Sequence, residues 1–491
     1  MEKPINIPNV INFSDMLEND FSFSILDYKQ FNFPNPNHLS LDTICNIEQG
    51  AFIDNIDRTT YDTGLSYITI RDFEGYVFSK KNSDYIIPKP AYSSLKIDKD
   101  TIFVSDAGSI GKAAFVKNSI NGINADGITR INYLNNNIID IYYIFACIQN
   151  PYFTELLKTI APSGSTQQNV EVKHFKKTFI PIPNKNINET IKYVSLLMQA
   201  IINKEMIALQ KHKNISSIIE KELLENQVNN TFLSEMPRIK EVEEFGRLDT
   251  GVYSEQFKEI QHKIKSYSGG YFHIDSHKIK SGNTPNTRYI SSDSSLKYMW
   301  VTPTTCSDYG LLAEERINLK GTNNINQDCI LLINRTSKGG VGEYVGIAGF
   351  YNFADFGKGQ HNQGMYQIFD YEKDKLLFML CFLNTPLMRK YCAALSVGSK
   401  MKELKMEHFL QIPFPSFPEE KQKEIAKLYH NSTIYYQTKD CTLDNFLELD
   451  SKYNQNAGIY ELDKTAKQLK EKLNIVINNI VNDKEVKIDF A

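Results

Sequence analysis

"NPYFTELLKTIAPSGSTQQNVEVKHF" (residues 150–175) and "NTPLMRKYCAALSVGSKMKELKMEHF" (384–409) lie over one another without a gap, with Asn150 on Asn384, Gly164 on Gly398 and His174-Phe175 on His408-Phe409. Each leads into an Ile-Pro-x-Pro strand, "IPIP" (180–183) and "IPFP" (412–415). Working outward, the same events precede both in the same order. Ile47-Glu-Gln-Gly50 matches Ile279-Lys-Ser-Gly282, "TIFVSDAGSIGKAAFV" (101–116) matches "CILLINRTSKGGVGEYVGIA" (329–348), and "NADGITRI" (124–131) matches "NQGMYQIF" (362–369). Internal repetition of this kind means one folding unit built twice. Each copy contains a short apolar strand followed by a glycine turn.

A helix should follow each copy. After "IPIP", Asn186 and Glu189 have capping-box spacing, and apolar residues recur at Ile187, Ile191, Val194, Leu197/Met198 and Ile201, on to Leu223/Leu224. After "IPFP", Pro418, Glu419 and Glu420 mark a helix start. A further helix near 461–482 sets Leu462, Ala466, Leu469, Leu473, Val476 and Ile480 four and three residues apart. That is a coiled-coil seam, which needs a partner, and the 187–228 helix is the one at hand. The polar run "DCTLDNFLELDSKYNQNAGIY" (440–460), with Gly458, is expected to interrupt the helix.

Composition sets bounds on what such a chain does. Length, 491 residues, implies two to four domains, and 41% hydrophobic with 23% charged content is that of a globular protein. A net charge of −3 gives no global attraction to nucleic acid, so any such contact must come from local surfaces. Cysteines 45, 147, 306, 329, 381, 392 and 441 form no C-x-x-C pair, which points to reduced thiols. There is no apolar run of membrane-spanning length, and "MEKPINIPNVINFSD" lacks a signal-peptide layout. A cytoplasmic protein is expected.

Three motifs suggest chemistry and fail on spacing. Gly108-Ser-Ile-Gly111-Lys112 looks like a phosphate loop, but its first glycine is too close to the Gly-Lys pair and Ala113 stands where a magnesium-binding hydroxyl belongs. "NPYF" (150–153) resembles the loop with which amino-methyltransferases grip a flipped adenine, yet the second proline is missing and the matching "NTPL" loses the aromatic. His273 and His277 could share a helical face as metal ligands, but no third ligand is near, and a strand edge explains the pattern as well. The duplicated His174 and His408 read as loop anchors rather than a catalytic pair.

Two non-identical units, each ending in a polar loop, His-Phe, Ile-Pro-x-Pro and a long helix, resemble the specificity (S) subunits of type I restriction–modification systems, over nearly the whole chain from about residue 38. The resemblance implies a mixed α/β (α+β) fold, two tandem target recognition domains separated and followed by long helices that form an antiparallel coiled coil. The expected boundaries are 1–185 for the first domain, with 1–37 an extension without an assigned role. Residues 186–230 form the central spacer helix, 231–415 the second domain and 416–491 a C-terminal helical region. It implies a non-catalytic subunit on double-stranded DNA, each unit reading one half of a bipartite target. The implied partners are DNA adenine methyltransferase subunits, two of them, and restriction/translocase subunits. No cofactor is expected in this chain; S-adenosylmethionine belongs to the methyltransferase partner, ATP and Mg to the restriction partner. The competing reading is a free-standing enzyme that modifies or cleaves DNA through fused recognition domains.

DNA contacts should come from loop groups able to bond base edges, Arg or Lys to guanine and Asn or Gln to adenine. In the first unit these are Arg71, Lys112, Arg130, Ser165, Gln167, Gln168 and Asn169. In the second they are Arg288, Arg335, Lys338, Lys358, Gln360, His361, Asn362, Lys400 and Lys402.

Overall fold

The computed structural model describes the chain except for residues 1–4, 7–9, 19–20, 22–27, 29, 32, 82, 136–137, 161–168, 230, 234–235, 238, 248–249, 285–289, 292–296, 318–323, 337–343, 399–400, 434–440 and 491. Two compact units emerge. Unit 1 comprises 1–207, 434–455 and 462–491; unit 2 comprises 208–433 and 456–461.

In unit 1 the apolar run Thr101–Ser105 is buried at every position, as a strand covered on both faces must be. It lies inside a six-stranded sheet ordered Cys45–Gln49, Ile128–Tyr133, Thr101–Ser105, Ala113–Val116, Val77–Phe78, Phe73–Glu74. A five-stranded sheet runs Lys96–Ile97, Ile120–Asn124, Ser66–Ile68, Tyr85–Ile86, Arg58–Thr59. Ile68, Phe73, Ile97, Phe103, Ala114, Val116 and Ile128 form a core that joins strands of both sheets. The helices Ile141–Gln149 and Pro151–Ile160 follow, and the Ile-Pro-x-Pro strand Phe179–Pro181 pairs antiparallel with His38–Ser40.

Unit 2 repeats this plan. Its four-stranded sheet runs Ile279–Ser281, Met365–Phe369, Cys329–Ile333, Ala348–Tyr351. Its five-stranded sheet runs Ile290–Ser291, Arg316–Ile317, Tyr298–Val301, Gly359–His361, Asn324–Ile325. The helices Lys373–Leu383 and Pro386–Leu395 follow, and Phe414–Pro415 pairs with Tyr271–Phe272. Strand register fixes the equivalences. Ile47 faces Ile131 as Ile279 faces Ile368; Ile102 faces Phe115 as Ile330 faces Phe350; Asn124 faces Ile68 as His361 faces Val301. Gly127 is therefore the counterpart of Gly364. Gly50 and Gly282 are glycine for one shared reason: a Cβ would lie 2.0 Å from Ala125 O in one unit and 2.2 Å from Asn362 O in the other.

The gapless overlay needs one correction. Pro151 and Pro386 each occupy the first position of a helix, so they are counterparts, as are His174 and His408 within the short helices Val172–Lys176 and Met406–Phe409. The first unit thus carries one residue more between helix start and His-Phe pair. Asn150 and Asn384 both cap the end of the preceding helix, so their match stands, and unit 2 places Thr385 between that cap and its helix-starting proline. The His174 Nδ1 accepts from the Glu171 N–H at 3.0 Å and closes the start of its own helix.

The central helix is a single element, Ile187–Glu225, and the last helix is Ile459–Val481. Asn186 has φ 46°, so the extended N-cap geometry of a capping box is not adopted; the first turn closes through Thr190 N to Asn186 O at 2.8 Å. Leu462, Ala466, Leu469, Leu473, Val476 and Ile480 are all buried, as their seam spacing requires. Within unit 1 the two helices run antiparallel: Lys185 meets Glu485 at 3.1 Å, and twenty residues on Glu205 meets Lys470. The interruption falls inside the expected run, though most of that run is itself helical. Phe446–Asn456 is helical because Phe446, Asp450, Tyr453 and Asn454 make a buried face, and the break falls at Ala457-Gly458. There a Cβ on Gly458 would lie 2.6 Å from Tyr429 O.

One polar cluster sits inside the unit 1 helices. The Lys204 ammonium, with no exposed side-chain surface, lies 2.6 Å from Asp450 Oδ1, 2.7 Å from Asn454 Oδ1 and 4.6 Å from the Tyr453 ring centre. Burial pushes its pKa down, and Asp450 pulls it back up.

Candidate nucleic-acid interface

In unit 1 the strand Thr101–Ser105 ends in a turn at Asp106, and three loops converge on that residue. Its N–H donates to Gly127 O at 3.1 Å, and its carbonyl accepts from Val170 N at 2.9 Å. Its carboxylate accepts from Thr129 Oγ1 at 2.8 Å. The strand turn, the glycine turn and the polar loop are thus tied at one point. In unit 2 Asn334 N–H donates to Gly364 O at 2.9 Å, and Asn334 O accepts from Leu404 N at 2.7 Å. The backbone knot is the same. A fourth piece, a one-turn 3-10 helix closed by a threonine capping box, follows Thr69 in one unit and Thr302 in the other.

These knots gather several of the groups singled out from the sequence. Asn169 is exposed and bridges to Ala107 beside the turn. Arg71 is exposed on the capped turn Ile70–Asp72, and Lys112, also exposed, donates to Phe73 O at 3.2 Å, next to that turn. Arg130 is the odd one: it neighbours Thr129 on the strand, so it points to the opposite sheet face, and it pairs with Glu48 at 2.5 Å. In unit 2 Arg335 and Lys402 lie on paired two-residue strands, Arg335 opposite Glu403 and Thr336 opposite Lys402. Asn362 stands at the glycine turn, where its Oδ1 accepts from Gly364 N at 2.8 Å. Lys358 is exposed but precedes the strand Gly359–His361 that Asn362 follows, so it lies at the strand's other end.

Gln360 and His361 leave the candidate set. They are 1% and 0% exposed, because the parallel pairing with Trp300 and Val301 places them inside the sheet, where neither can reach a base. Gln360 Nε2 donates to Asn324 Oδ1 at 2.9 Å, and burial pushes the His361 pKa down to about 4. Ser165, Gln167, Gln168, Arg288, Lys338 and Lys400 lie outside the described residues.

The phosphate-loop spacing has a structural explanation. Gly108 and Gly111 have φ of 67° and 83°, which suits glycine in the hairpin turn that leads to the strand Ala113–Val116. No helix follows, and a helix N-terminus is what a phosphate loop requires. The "NPYF" asparagine caps a helix, its Oδ1 accepting from Tyr152 N at 3.1 Å. His273 Nδ1 lies 3.0 Å from Ile412 O, beside the closing strand pair.

Sequence reading missed Asp106 and Asn334, although both follow the central strand of their repeat, and it missed how each unit holds the central helix. In unit 1 the tip of the Phe73–Phe78 hairpin presents Tyr76, whose N–H donates to Glu205 at 2.6 Å; Lys470 pairs with Glu205 and lies 4.0 Å from the Tyr76 ring centre. Burial raises the Glu205 pKa, and Lys470 opposes the rise. In unit 2 the corresponding turn sets Tyr309 edge-on to His212, ring centres 4.8 Å apart, and Tyr429 donates to Gly310 O at 2.7 Å.

A mixed α/β body built twice, each copy offering a knotted edge of polar loops and each gripping one long helix, defines a tandem recognition protein. The type I restriction modification DNA specificity domain matches the chain twice, over residues 37–211 and 275–434, and the chain belongs to that family. It is a DNA-recognition subunit and non-catalytic, so the reading as a free-standing DNA-modifying or DNA-cleaving enzyme falls. Among solved structures, the S subunit of a type I restriction–modification system from M. genitalium is similar at 15% identity, covering 92% of this chain and 96% of that one, with a TM-score of 0.36. The HsdS subunit from Thermoanaerobacter tengcongensis is similar at 11% identity, covering 91% and 97%, with a TM-score of 0.27. No curated protein matches the chain. Among the described residues no helix is long and apolar enough to cross a membrane.

Proposed function

We propose that each unit reads one half of a split double-stranded DNA target through its knotted edge, and that the helices dock two adenine methyltransferase subunits, with restriction/translocase subunits joining the complex. The observation that carries this is the duplication of the knot itself: one backbone frame, twice, with different side chains on its loops. Arg71, Lys112 and Asn169 are the first unit's reading groups, and Arg335, Asn362 and Lys402 the second's. S-adenosylmethionine enters with the methyltransferase, ATP and Mg with the restriction subunit.

The test is replacement of residues 245–415 by the corresponding unit of a relative, in the presence of the methyltransferase partner, followed by sequencing of methylated sites. One half-site should change and the other stay. A change in both halves would refute modular reading. Methyl transfer by the isolated chain would refute the non-catalytic assignment. Four residues inserted after Lys211 add about 6 Å of helix and should lengthen the unread spacer by about two base pairs.

A further inference from the structure

The two knots share their backbone bonds and differ in the side chain that braces them. In unit 1 Thr129, on the strand that leaves the glycine turn, donates to the Asp106 carboxylate at 2.8 Å. Strand register makes Tyr366 the counterpart of Thr129, since Thr129 faces Gln49 as Tyr366 faces Ser281. Tyr366, however, sends its hydroxyl to Leu404 O at 3.0 Å, on the polar loop. Asn334 donates to Gln363 O at 3.3 Å in the glycine turn, and its side chain also bonds the Tyr366 hydroxyl. Both units therefore brace strand to strand turn, and unit 2 adds a tie from the same tyrosine to the polar loop.

We propose that Asp106 with Thr129, and Asn334 with Tyr366, are the positioning residues that set the shape of the two reading edges, and that of these four Asp106 is the one able to change its charge between pH 5 and 8. The proposal rests on the half-site reading above. Asp106 and Asn334 are 2% and 3% exposed, so neither touches DNA; each acts through the loops that it ties. A carboxylate beneath an edge that meets a polyanion opposes binding, and an amide in the same place does not. The Asp106 pKa is pushed up to about 6, chiefly by burial, with the Thr129 bond opposing and Asp126 adding to the rise. Among the described residues Asp126, in the glycine turn, is the charged group acting on it; the brace from the strand is the neutral Thr129, and the described end of the polar loop gives it the Val170 N–H. Protonation removes the charge and leaves the Thr129 hydroxyl a partner, so the edge keeps its shape while its repulsion falls.

The experiment uses the full chain with its methyltransferase partner, scoring methylation of targets altered at single bases in each half-site between pH 5 and 8. Asp106→Ala and Thr129→Val should each lower discrimination in the first half-site by about tenfold and leave the second unchanged. Asn334→Ala and Tyr366→Phe should do the reverse. Asp106→Asn should restore first-half discrimination, and it should abolish the gain in first-half affinity that the wild type shows below about pH 6. Equal loss in both halves from any single variant, or an unchanged first half in Thr129→Val, would overturn the assignment. A first-half pH response that persists in Asp106→Asn would overturn the charge difference, even if Asp106→Ala failed to fold. A wild type that reads no bipartite site would instead refute the half-site reading itself.

Discussion

Where unit 1 holds Asp106, unit 2 holds Asn334; where unit 1 pairs Glu48 with Arg130 across neighbouring strands, unit 2 sets Lys280 opposite Gln367; where unit 1 buries Asn124 beside its glycine turn, unit 2 buries His361. The backbone around these positions is nonetheless the same. What is held in common is whatever fixes the path of the chain: Gly50 and Gly282, the capped turns at Thr69 and Thr302, the prolines that begin helices. What varies are the side chains placed on that path. A recognition module must behave in this way, since contacts specify while the scaffold only positions.

The strongest test of the shared frame is Gly50→Ala beside Gly282→Ala. Each new methyl would sit within about 2.0 to 2.2 Å of a carbonyl oxygen, so each should destabilise its own unit by several kcal/mol, on the order of 3 or more, measured by urea titration of the full chain. An indifferent response in either would break the equivalence.

The units also differ in how polar groups hold their helices. Unit 1 buries Lys204 against Asp450, whereas unit 2 uses His430, which pairs with Glu461 and sits at the end of the helix Glu419–Tyr429. Lys204→Ala leaves Asp450 buried without its cation and should cost about 3–5 kcal/mol, while Lys204→Met with Asp450→Leu should be near neutral or stabilising. A single variant as stable as wild type would mean that the pair does not brace these helices.

Acid should separate the units next. His361 has a folded-state pKa near 4, below the ordinary value of 6.5, so the unfolded chain binds more protons between those two pH values. Its contribution is therefore fully present above about pH 6.5 and is lost as pH falls toward 4, an effect of order 3 kcal/mol. His361→Asn, which installs the residue that unit 1 carries at this position, should flatten that slope in equilibrium unfolding. The smallest effect belongs to the half-exposed Glu48–Arg130 pair: Glu48→Gln should change stability by under about 1 kcal/mol and lose even that in high salt.

The sequence by itself determined the duplication, the order of its parts, the seam of the last helix and the class of protein, because repetition and apolar spacing are written residue by residue. It also placed loop groups such as Arg71, Asn169 and Arg335 near the edges where they lie. Register it could not give. Matching letters laid Asn150 on Asn384, and both do cap the end of a helix, but Thr385 follows in one unit alone, so the helix-starting prolines Pro151 and Pro386 fall one residue out of that register. Gln360 and His361 read as polar loop residues until strand pairing carried them inside, for burial depends on which neighbour lies alongside rather than on polarity. The 440–460 run does hold the expected break, at Ala457-Gly458, but Phe446–Asn456 before it is helical, because four of its residues, at helical spacing, find a buried surface to face. Asp106 and Asn334 were marked in the sequence by their shared place after a repeated strand and by nothing else. Their role comes from bonds to Gly127 and Val170, or Gly364 and Leu404, which are far apart along the chain and meet only when the sheet and the loops have closed around them.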